Sequence, residues 1–298
     1  MAALVCFGLG YCAGHFIAEF GGKFERILGT VRSAERAAIL NAYQAQAVRA
    51  VGFDGARATP ELNGAIAAAD HVLISVPPEQ RGDPVLDACG GALAGANNLR
   101  SVVYLSTVGV YGDHGGGWVD EQTPAAPGSE RSRWRLAAEQ GWQQFGARHG
   151  VPVALLRLAG IYGEGQNALV ALARGKARRI VKAGQVFNRI HVADIAQAIE
   201  AAFARRAGGI FNVADDAPGP PADPIVFAAA LMGRQPPPEI PFEDAAPSMS
   251  EMGLSFWGEC RRVRNNKLKR ELGVGLRYPT YREGLRALFK AVNVGSDL

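Results

Sequence analysis

Three glycines follow a short apolar segment near the start of the chain, in the order Gly8, Gly10 and Gly14. Together with Ala13 they satisfy both the G-x-G-x-x-A and the G-x-G-x-x-x-G pattern. After a strand, the first glycine permits a tight turn, the second lets the backbone approach a pyrophosphate, and the small residues bring the following helix close to the strand. The helix then directs its free N–H groups at the phosphates. The pattern predicts a dinucleotide-binding loop at Gly8, Gly10, Tyr11, Cys12, Ala13 and Gly14.

A cation flanked by hydroxyl groups stands where the second strand should end. Thr30, Arg32 and Ser33 occupy this place, about 20 residues past the glycines, where an Asp or Glu would bind the ribose 2′-OH of NAD. An arginine instead presents a planar fork of donors that matches a 2′-phosphate, and the hydroxyls can add hydrogen bonds. NADP is therefore predicted in preference to NAD. The alternative is a surface arginine at a strand end.

Three further segments resemble signatures of the extended short-chain dehydrogenase/reductases, the NAD-dependent epimerase/dehydratase group. They are STVGVYG at 106–112, LRLAGIYG at 156–163 and RIHVADI at 189–195, in that family's order and spacing. With the glycine loop, the resemblance covers nearly the whole chain. The ending RVRNNKLKRELG…YPTYREGL is also similar to the C-terminal segment of an atypical branch of the group.

The resemblance implies roles for several residues. Thr107, after Ser106, falls at the family's catalytic Ser/Thr, which hydrogen-bonds the reacting oxygen of the substrate. Asp54 is expected near the adenine. The segment after the fourth strand is expected to line the cofactor and consists of Ser75, Val76 and Pro77. The alternative for Ser106 and Thr107 is an ordinary strand end.

Two departures from the family pattern bear on activity. Aligning Glu139 with the Glu that commonly follows the family's Tyr-x-x-x-Lys puts Arg131 at the Tyr and Arg135 at the Lys. Arginine stays protonated and cannot exchange a proton in that role. Phe187 stands where nucleotide-sugar epimerases of the family carry an Arg that contacts the substrate diphosphate, which makes a UDP-sugar substrate less expected.

The two arginines allow two interpretations. Ser129 should cap a helix on which positions 131, 135 and 139 share a face. In the first interpretation, Arg135 pairs with Glu139 in a solvated ladder, and the apolar side chains that pack inward are Trp134, Ala138 and Phe145. In the second, both cations face the nicotinamide end of the cleft and stabilise an anionic group, while water or another side chain transfers any proton. We favour the second.

Other groups could supply a proton. Tyr111, Tyr162 and His191 are the candidates, and only His titrates near neutrality without help. The resemblance implies, however, that His191 begins a helix and is structural. Tyr111 and Tyr162 are expected to pack near the cofactor. The candidate catalytic residues are Thr107, Arg131, Arg135 and Tyr111.

The elements that must position these residues alternate along the chain. Short apolar runs occur at 4–8, 26–31, 50–53, 71–76, 101–107, 152–162 and 208–215. Several are continuous, as in strands buried on both faces, and helix-like stretches such as 12–21, 34–47 and 191–204 separate them. This predicts an α/β fold, a Rossmann-type doubly wound parallel sheet with a small C-terminal substrate lobe. We assign 1–163 and 189–215 to the NAD(P)-binding domain, and 164–188 and 216–298 to the small lobe and C-terminal segment.

Composition narrows the functional classes. The chain has 298 residues, 48% hydrophobic and 20% charged, with a net charge of +4, as expected of a globular protein. The basic segments 173–179 and 260–270 lack interleaved aromatic residues, so nucleic acid is not expected as a partner. No metal-ligand spacing, signal peptide or membrane span is recognised, and the four cysteines show no C-x-x-C pairing. We expect a cytoplasmic protein with reduced thiols that binds a small-molecule substrate and forms a homodimer.

Three functional classes stay open. The first is an NADP(H)-dependent oxidoreductase or epimerase that acts on a small anionic substrate. The second is a non-catalytic NADP(H)-binding sensor or structural module, which the absence of the Tyr–Lys pair favours. The third is an interaction partner that uses the basic C-terminal segment. The retained Thr107 and the VYG segment place the enzyme slightly ahead.

Overall fold

A computed structural model of the chain describes residues 2–43 and 48–295. The strands are β1 (Ala2–Phe7), β2 (Phe24–Val31), β3 (Val48–Gly52), β4 (His71–Ile74), β5 (Ser101–Thr107), β6 (Trp118–Val119), β7 (Val153–Leu158), β8 (Gly160–Tyr162), β9 (Arg179–Val181), β10 (Arg189–His191), β11 (Gly209–Val213), β12 (Glu239–Pro241) and β13 (Arg262–Val263).

The longer helices are α1 (Tyr11–Phe20), α2 (Ala34–Tyr43), α3 (Pro60–Ala67), α4 (Pro84–Ala94), α5 (Glu130–His149), α6 (Ala168–Ala173), α7 (Val192–Arg205), α8 (Asp223–Leu231), α9 (Phe242–Ala245), α10 (Glu251–Trp257), α11 (Asn266–Leu272) and α12 (Tyr281–Gly295). None of the helices in the described ranges is long and apolar enough to cross a bilayer.

One parallel sheet organises the molecule. Its strands lie in the order β11-β7-β5-β4-β1-β2-β3, so the chain reverses its direction of travel across the sheet between β1 and β4. In such sheets, ligands bind outside the carboxyl ends of the strands at this switch point. The predicted doubly wound Rossmann-type fold is confirmed.

Both faces of the sheet are buried. In β1, Leu4 and Cys6 join the core beneath α1 and α7, whereas Val5 and Phe7 join the core beneath α3, α4 and α5. Successive side chains of a strand point to opposite faces, so a strand between two helical layers must be apolar throughout. This is why the strands could be recognised as continuous apolar runs.

The segment predicted as one strand, 152–162, is two strands. β7 ends at Leu158, and Gly160 donates its N–H to the carbonyl of Asn188, so the chain leaves the sheet and pairs with β10 instead. A Cβ at Gly160 would lie 3.0 Å from that carbonyl oxygen, which is tighter than most real contacts. The segment predicted as a helix at 34–47 is α2, with 44–47 outside the described residues.

Short parallel strand pairs and a third apolar cluster lie in the second half of the chain. The pairs are β8–β10, β9–β12 and β6–β13. The cluster packs Tyr162 and Leu169 against Ala228 of α8 and against Tyr281 and Leu285 of α12. The division into a nucleotide-binding domain and a smaller lobe stays a prediction, and 296–298 lie outside the described residues.

A buried ion pair fastens α5 to the sheet. Arg157 of β7 donates to both carboxylate oxygens of Glu139 on α5, at distances from 2.7 to 3.2 Å. The hydroxyl of Ser106 on β5 donates to the same carboxylate at 2.5 Å. The Arg157 and Glu139 side chains are only 4% and 1% exposed. The helix is therefore held at one rotation about its axis relative to β5 and β7.

Replacing Arg157 by Met should lower the free energy of unfolding by about 3–5 kcal/mol, because the carboxylate of Glu139 would stay buried without its cation. Urea denaturation measures the change. The matched control replaces both residues, Arg157→Met with Glu139→Met, and should recover much of the loss because no uncompensated charge remains. A cost below about 1 kcal/mol for the single variant would contradict an anchoring role.

Candidate cofactor and substrate site

The first glycine of the loop makes a turn that other residues would disfavour. Gly8, directly after β1, has a φ of +93°, and a Cβ there would lie 2.9 Å from Cγ1 of Val76. Its N–H donates to the Thr30 hydroxyl at 2.9 Å, and the N–H of Leu9 donates to the Thr30 carbonyl. Thr30 is buried, so its side chain supports the turn from below instead of facing solvent.

The N-terminus of α1 has no side-chain cap. Gly10 is the N-cap residue, no side chain of the described residues caps the first-turn N–H groups, and this turn contains no acidic residue. Gly10 lies beside Ser75, whose hydroxyl would be 3.9 Å from an added Cβ. Gly14 is exposed on the helix and has no atom near its Cβ position. The uncapped N–H groups of α1 are suited to phosphate oxygens.

The side chains between these glycines do not face the loop opening. Cys12 and Ala13 are buried in the core beneath α1. Burial raises the pKa of the Cys12 thiol to about 11, so it stays protonated and unreactive. Tyr11 donates its hydroxyl to the carbonyl of Glu164 at 2.9 Å and thereby joins the loop to the segment after β8. Only the backbone at 11–13 is free to contact a phosphate.

The end of β2 exposes a cation. Arg32 is exposed and has no hydrogen-bond or ion-pair partner among the residues that the structure describes. The Ser33 hydroxyl accepts from the N–H of Arg36 at 3.2 Å and begins α2. Gly52 of β3 lies directly beneath this turn, since a Cβ there would be 2.8 Å from the N of Ala34. Asp54, after β3, is exposed, and its carboxylate accepts from the N–H of Ala56.

The two residues that end β5, Ser106 and Thr107, differ in how their hydroxyl groups are used. The Ser106 hydroxyl is buried and donates to Glu139. The half-buried Thr107 accepts from the N–H of Gly109 at 3.1 Å, which leaves its hydroxyl proton available for another acceptor.

The structure does not support proton transfer by Tyr111. Its side chain is fully buried, and its hydroxyl donates to Asn212 of β11 at 2.7 Å. Burial raises its pKa, and the guanidinium of Arg157 lies 4.6 Å from its ring centroid. Tyr111 packs in the core with Val263 and Leu268 of the C-terminal segment, and its place near the cofactor stays a prediction.

His191 is structural, as the resemblance implied. Its Nδ1 accepts from the N–H of Ala193 at 3.1 Å and caps α7. The ring is buried between Tyr162 and Tyr278, and burial lowers its pKa to about 4. Tyr162 is also buried, with its hydroxyl 3.4 Å from the carbonyl of Thr280.

The first interpretation of α5, the solvated ladder, is wrong. Ser129 caps the helix as predicted, with its hydroxyl accepting from Ser132, but Glu139 pairs with Arg157 and not with Arg135. Arg135 Nη1 donates to the Leu105 carbonyl at 2.9 Å and to the Tyr104 hydroxyl at 3.1 Å. Glu139 is buried against the sheet, where Arg157 and Ser106 both donate to its carboxylate, whereas Arg135 donates to the end of β5 instead.

The two arginines open onto one cleft of about 580 Å³. The cleft lies between the start of α5 and the loop after β4. It is lined by Pro77, Pro78, Glu79, Gln80, Arg81, Arg131, Trp134 and Arg135. The ladder interpretation had placed Trp134 inward, and the predicted cofactor-lining segment ended at Pro77. Asp83, which caps α4, was the available signal that 75–83 forms a loop at the carboxyl edge of the sheet.

The cleft carries an excess of positive charge. Arg131 Nη1 contacts the thioether sulfur of Met252 at 2.9 Å, and the hydrogen bonds of Arg135 within the described residues go to neutral oxygens. Neither forms an ion pair with a carboxylate in the described part of the chain. The one lining carboxylate, Glu79, lies 3.5 Å from Arg81 at the exposed rim. Two guanidinium groups are therefore free to bind an anion.

The parallel sheet, the glycine loop with the uncapped start of α1, and the cleft beside the loop after β4 together define a Rossmann-type nucleotide-binding protein. Residues 83–214 match the model of the NAD dependent epimerase/dehydratase family. A conserved protein of unknown function from Silicibacter pomeroyi DSS is 42% identical, with 98% of this chain and 99% of that chain covered and a TM-score of 0.85. Residues 83–214 therefore carry the signature of the NAD-dependent epimerase/dehydratase family.

More distant solved structures share the fold. The dTDP-glucose 4,6-dehydratase of Bacillus anthracis str. Ames, in complex with NAD, is 16% identical, with a TM-score of 0.74 and coverage of 100% of this chain and 98% of that chain. The UDP-N-acetylglucosamine 4-epimerase of Bacillus cereus is 13% identical, with a TM-score of 0.72 and coverage of 98% and 99%. No curated protein has a significantly similar sequence.

The glycine loop generates a stability prediction. Gly8→Ala should lower the free energy of unfolding by about 1–3 kcal/mol, because the residue would be strained at positive φ and would collide with Val76. Gly14→Ala is the matched control and should raise it by about 0.5–1 kcal/mol, because the site is helical and open. Urea denaturation of both variants provides the measurement. Equal destabilisation by the two substitutions would be incompatible with this description of the loop.

Proposed function

We propose that the protein binds NADP(H) and acts as an oxidoreductase or epimerase on a small anionic substrate. The observation that carries the proposal is the cleft in which Arg131 and Arg135 face the loop after β4 without a carboxylate partner. A cation pair in a recess favours a ligand that carries a carboxylate or phosphate, since charge-assisted hydrogen bonds to such groups are strong.

The residues around the switch point fit a dinucleotide. The turn at Gly8 and the uncapped start of α1 would hold the pyrophosphate, and Ser75 and Val76 would lie along the adjoining wall. The cofactor would supply a site that accepts or donates a hydride. This chain's residues would supply orientation, charge and exclusion of water.

The end of β2 supports NADP over NAD. Arg32 is exposed and without a partner in the described residues, and the N-terminus of α2 begins beside it at Ser33. A guanidinium and a helix N-terminus both favour a phosphate. Thr30 contributes by holding the glycine turn, since its hydroxyl already accepts from Gly8.

The residues of α5 would contribute to catalysis by electrostatic stabilisation. Thr107 would donate its hydroxyl to the reacting oxygen of the substrate, and the guanidinium groups would stabilise negative charge on or beside that oxygen without exchanging a proton. The proton itself would pass to or from water or Glu79, the carboxylate that lines the cleft. We also propose a cytoplasmic location, which the four free cysteines support.

The alternative function is a module that binds NADP(H) for structure or sensing and turns nothing over. The burial of Tyr111 and His191 favours it, because neither side chain can replace the missing Tyr–Lys pair. NADPH binding without oxidation across a broad panel of small carbonyl acids would favour the module. Oxidation of NADPH with any of them favours the enzyme.

The cofactor preference can be tested at Arg32. We expect NADPH to bind about tenfold or more tightly than NADH, since each charge-assisted hydrogen bond to the 2′-phosphate contributes about 1.5–3 kcal/mol. Arg32→Glu should reverse the order by repelling that phosphate. Calorimetric titration of both cofactors provides the measurement, and equal affinities of the parent protein for the two would refute the preference.

The anion site can be tested on α5. Arg131→Gln and Arg135→Gln should each weaken binding of oxalate by about tenfold, because each removes a charged donor. Arg133→Gln is the control, since Arg133 is exposed on the same helix and donates to the Gly128 carbonyl outside the cleft. If the double variant Arg131→Gln, Arg135→Gln equals the parent in oxalate binding and in NADPH oxidation, the proposed role of the arginines is wrong.

A further inference from the structure

The helix α10 exposes an unusual share of apolar surface. Its residues Met252, Leu254 and Phe256 are 51%, 36% and 63% exposed. The other exposed large apolar side chains of the described ranges are scattered at Ile39, Trp118 and Ile161. Single exposed apolar residues are ordinary, but a cluster on one short helix is typical of a binding surface.

The opposite face of α10 is fixed. Trp257 is buried and stacks on Phe242, with ring centroids 5.2 Å apart and planes inclined by 26°. The Trp257 carbonyl accepts from Lys182 at 2.7 Å, and Ser250 caps the helix by accepting from Gly253. With its buried side occupied in this way, α10 cannot turn Met252 and Phe256 into the core.

The exposed face continues the cationic cleft. Met252 contacts Arg131, which lines the cleft, and Phe256 lies one turn further along the same face of α10. The surface therefore passes from Arg135 through Arg131 to Met252 and Phe256, with charge at one end and apolar groups at the other. We call these four residues the amphipathic strip.

We propose that the ligand of the amphipathic strip is a small amphipathic anion, with a carboxylate or phosphate head and an alkyl or aryl body. The inference rests on the proposed function, because it extends the same cleft. The head would bind Arg131 and Arg135, and the body would cover Met252 and Phe256. A polar sugar would leave these apolar side chains in water.

Neighbouring contacts argue against a nucleotide-sugar ligand. Phe187, which replaces the arginine of the nucleotide-sugar epimerases, lies 5.2 Å from the ring of Trp257 beneath α10. A second protein chain or a lipid surface would cover the apolar face but would not require two cations beside it that lack a carboxylate partner in the described residues. Charge complementarity therefore selects the amphipathic anion.

The test uses octanoate, acetate and octanamide as probes, titrated by calorimetry into the NADPH-saturated protein. Each buried methylene strengthens binding by about fourfold, so octanoate should bind at least ten times more tightly than acetate. Octanamide, which lacks the charge, should also bind at least ten times more weakly than octanoate. Phe256→Ala should weaken octanoate binding about fivefold or more and leave acetate binding unchanged.

Trp118→Ala is the control, because it removes an exposed aromatic side chain outside the cleft and should leave all three affinities unchanged. If Phe256→Ala and Met252→Ala leave the octanoate-to-acetate ratio unchanged while Arg131→Gln weakens both, the inference is overturned and the anion site stands. If Arg131→Gln and Arg135→Gln change the affinity for neither octanoate nor acetate, the proposed function and this inference both fail. Loss of a dimer or of binding to phosphatidylcholine vesicles in Phe256→Ala, with octanoate binding intact, would assign the face to another occupant and overturn the inference.

Discussion

The buried contact of Arg157 with Glu139 determines how the cleft is built. It joins β7 to α5, and Ser106 extends it to β5, so three elements meet at one carboxylate. Because positions four apart share a helix face, anchoring Glu139 also directs Arg135 and Arg131, one and two turns earlier, toward the ends of the strands. The orientation of both cations thus depends on an interaction to which neither contributes.

This arrangement replaces one kind of chemistry with another. A Tyr–Lys pair at these positions could exchange a proton, whereas two guanidinium groups can only attract and orient negative charge. Arg135 donates to the Leu105 carbonyl and the Tyr104 hydroxyl. These neutral acceptors give it a defined position, and no carboxylate of the described residues neutralises its charge in an ion pair. The resulting site is suited to an anion.

Sequence reasoning succeeded where the signal was local. Continuous apolar runs predicted the sheet because strands between two helical layers must be apolar on both faces, and the glycine pattern predicted the turn at Gly8. It failed where partners are distant in sequence. The less favoured interpretation of α5 paired Glu139 with Arg135 by the i,i+4 rule, although the partner of Glu139, Arg157, lies on another element. Nothing in the pattern revealed that Cys12 faces the core or that Met252 reaches Arg131.

The central claim is that Arg131 and Arg135 form an anion site directly beside the reactive end of the cofactor. A crystal structure of the protein with NADPH and oxalate tests it most directly. The account predicts oxalate hydrogen-bonded to both guanidinium groups, in contact with the nicotinamide ring at C4 and within reach of the Thr107 hydroxyl. A nicotinamide ring that lies outside the cleft, or oxalate bound elsewhere while both arginines extend into solvent, would contradict it.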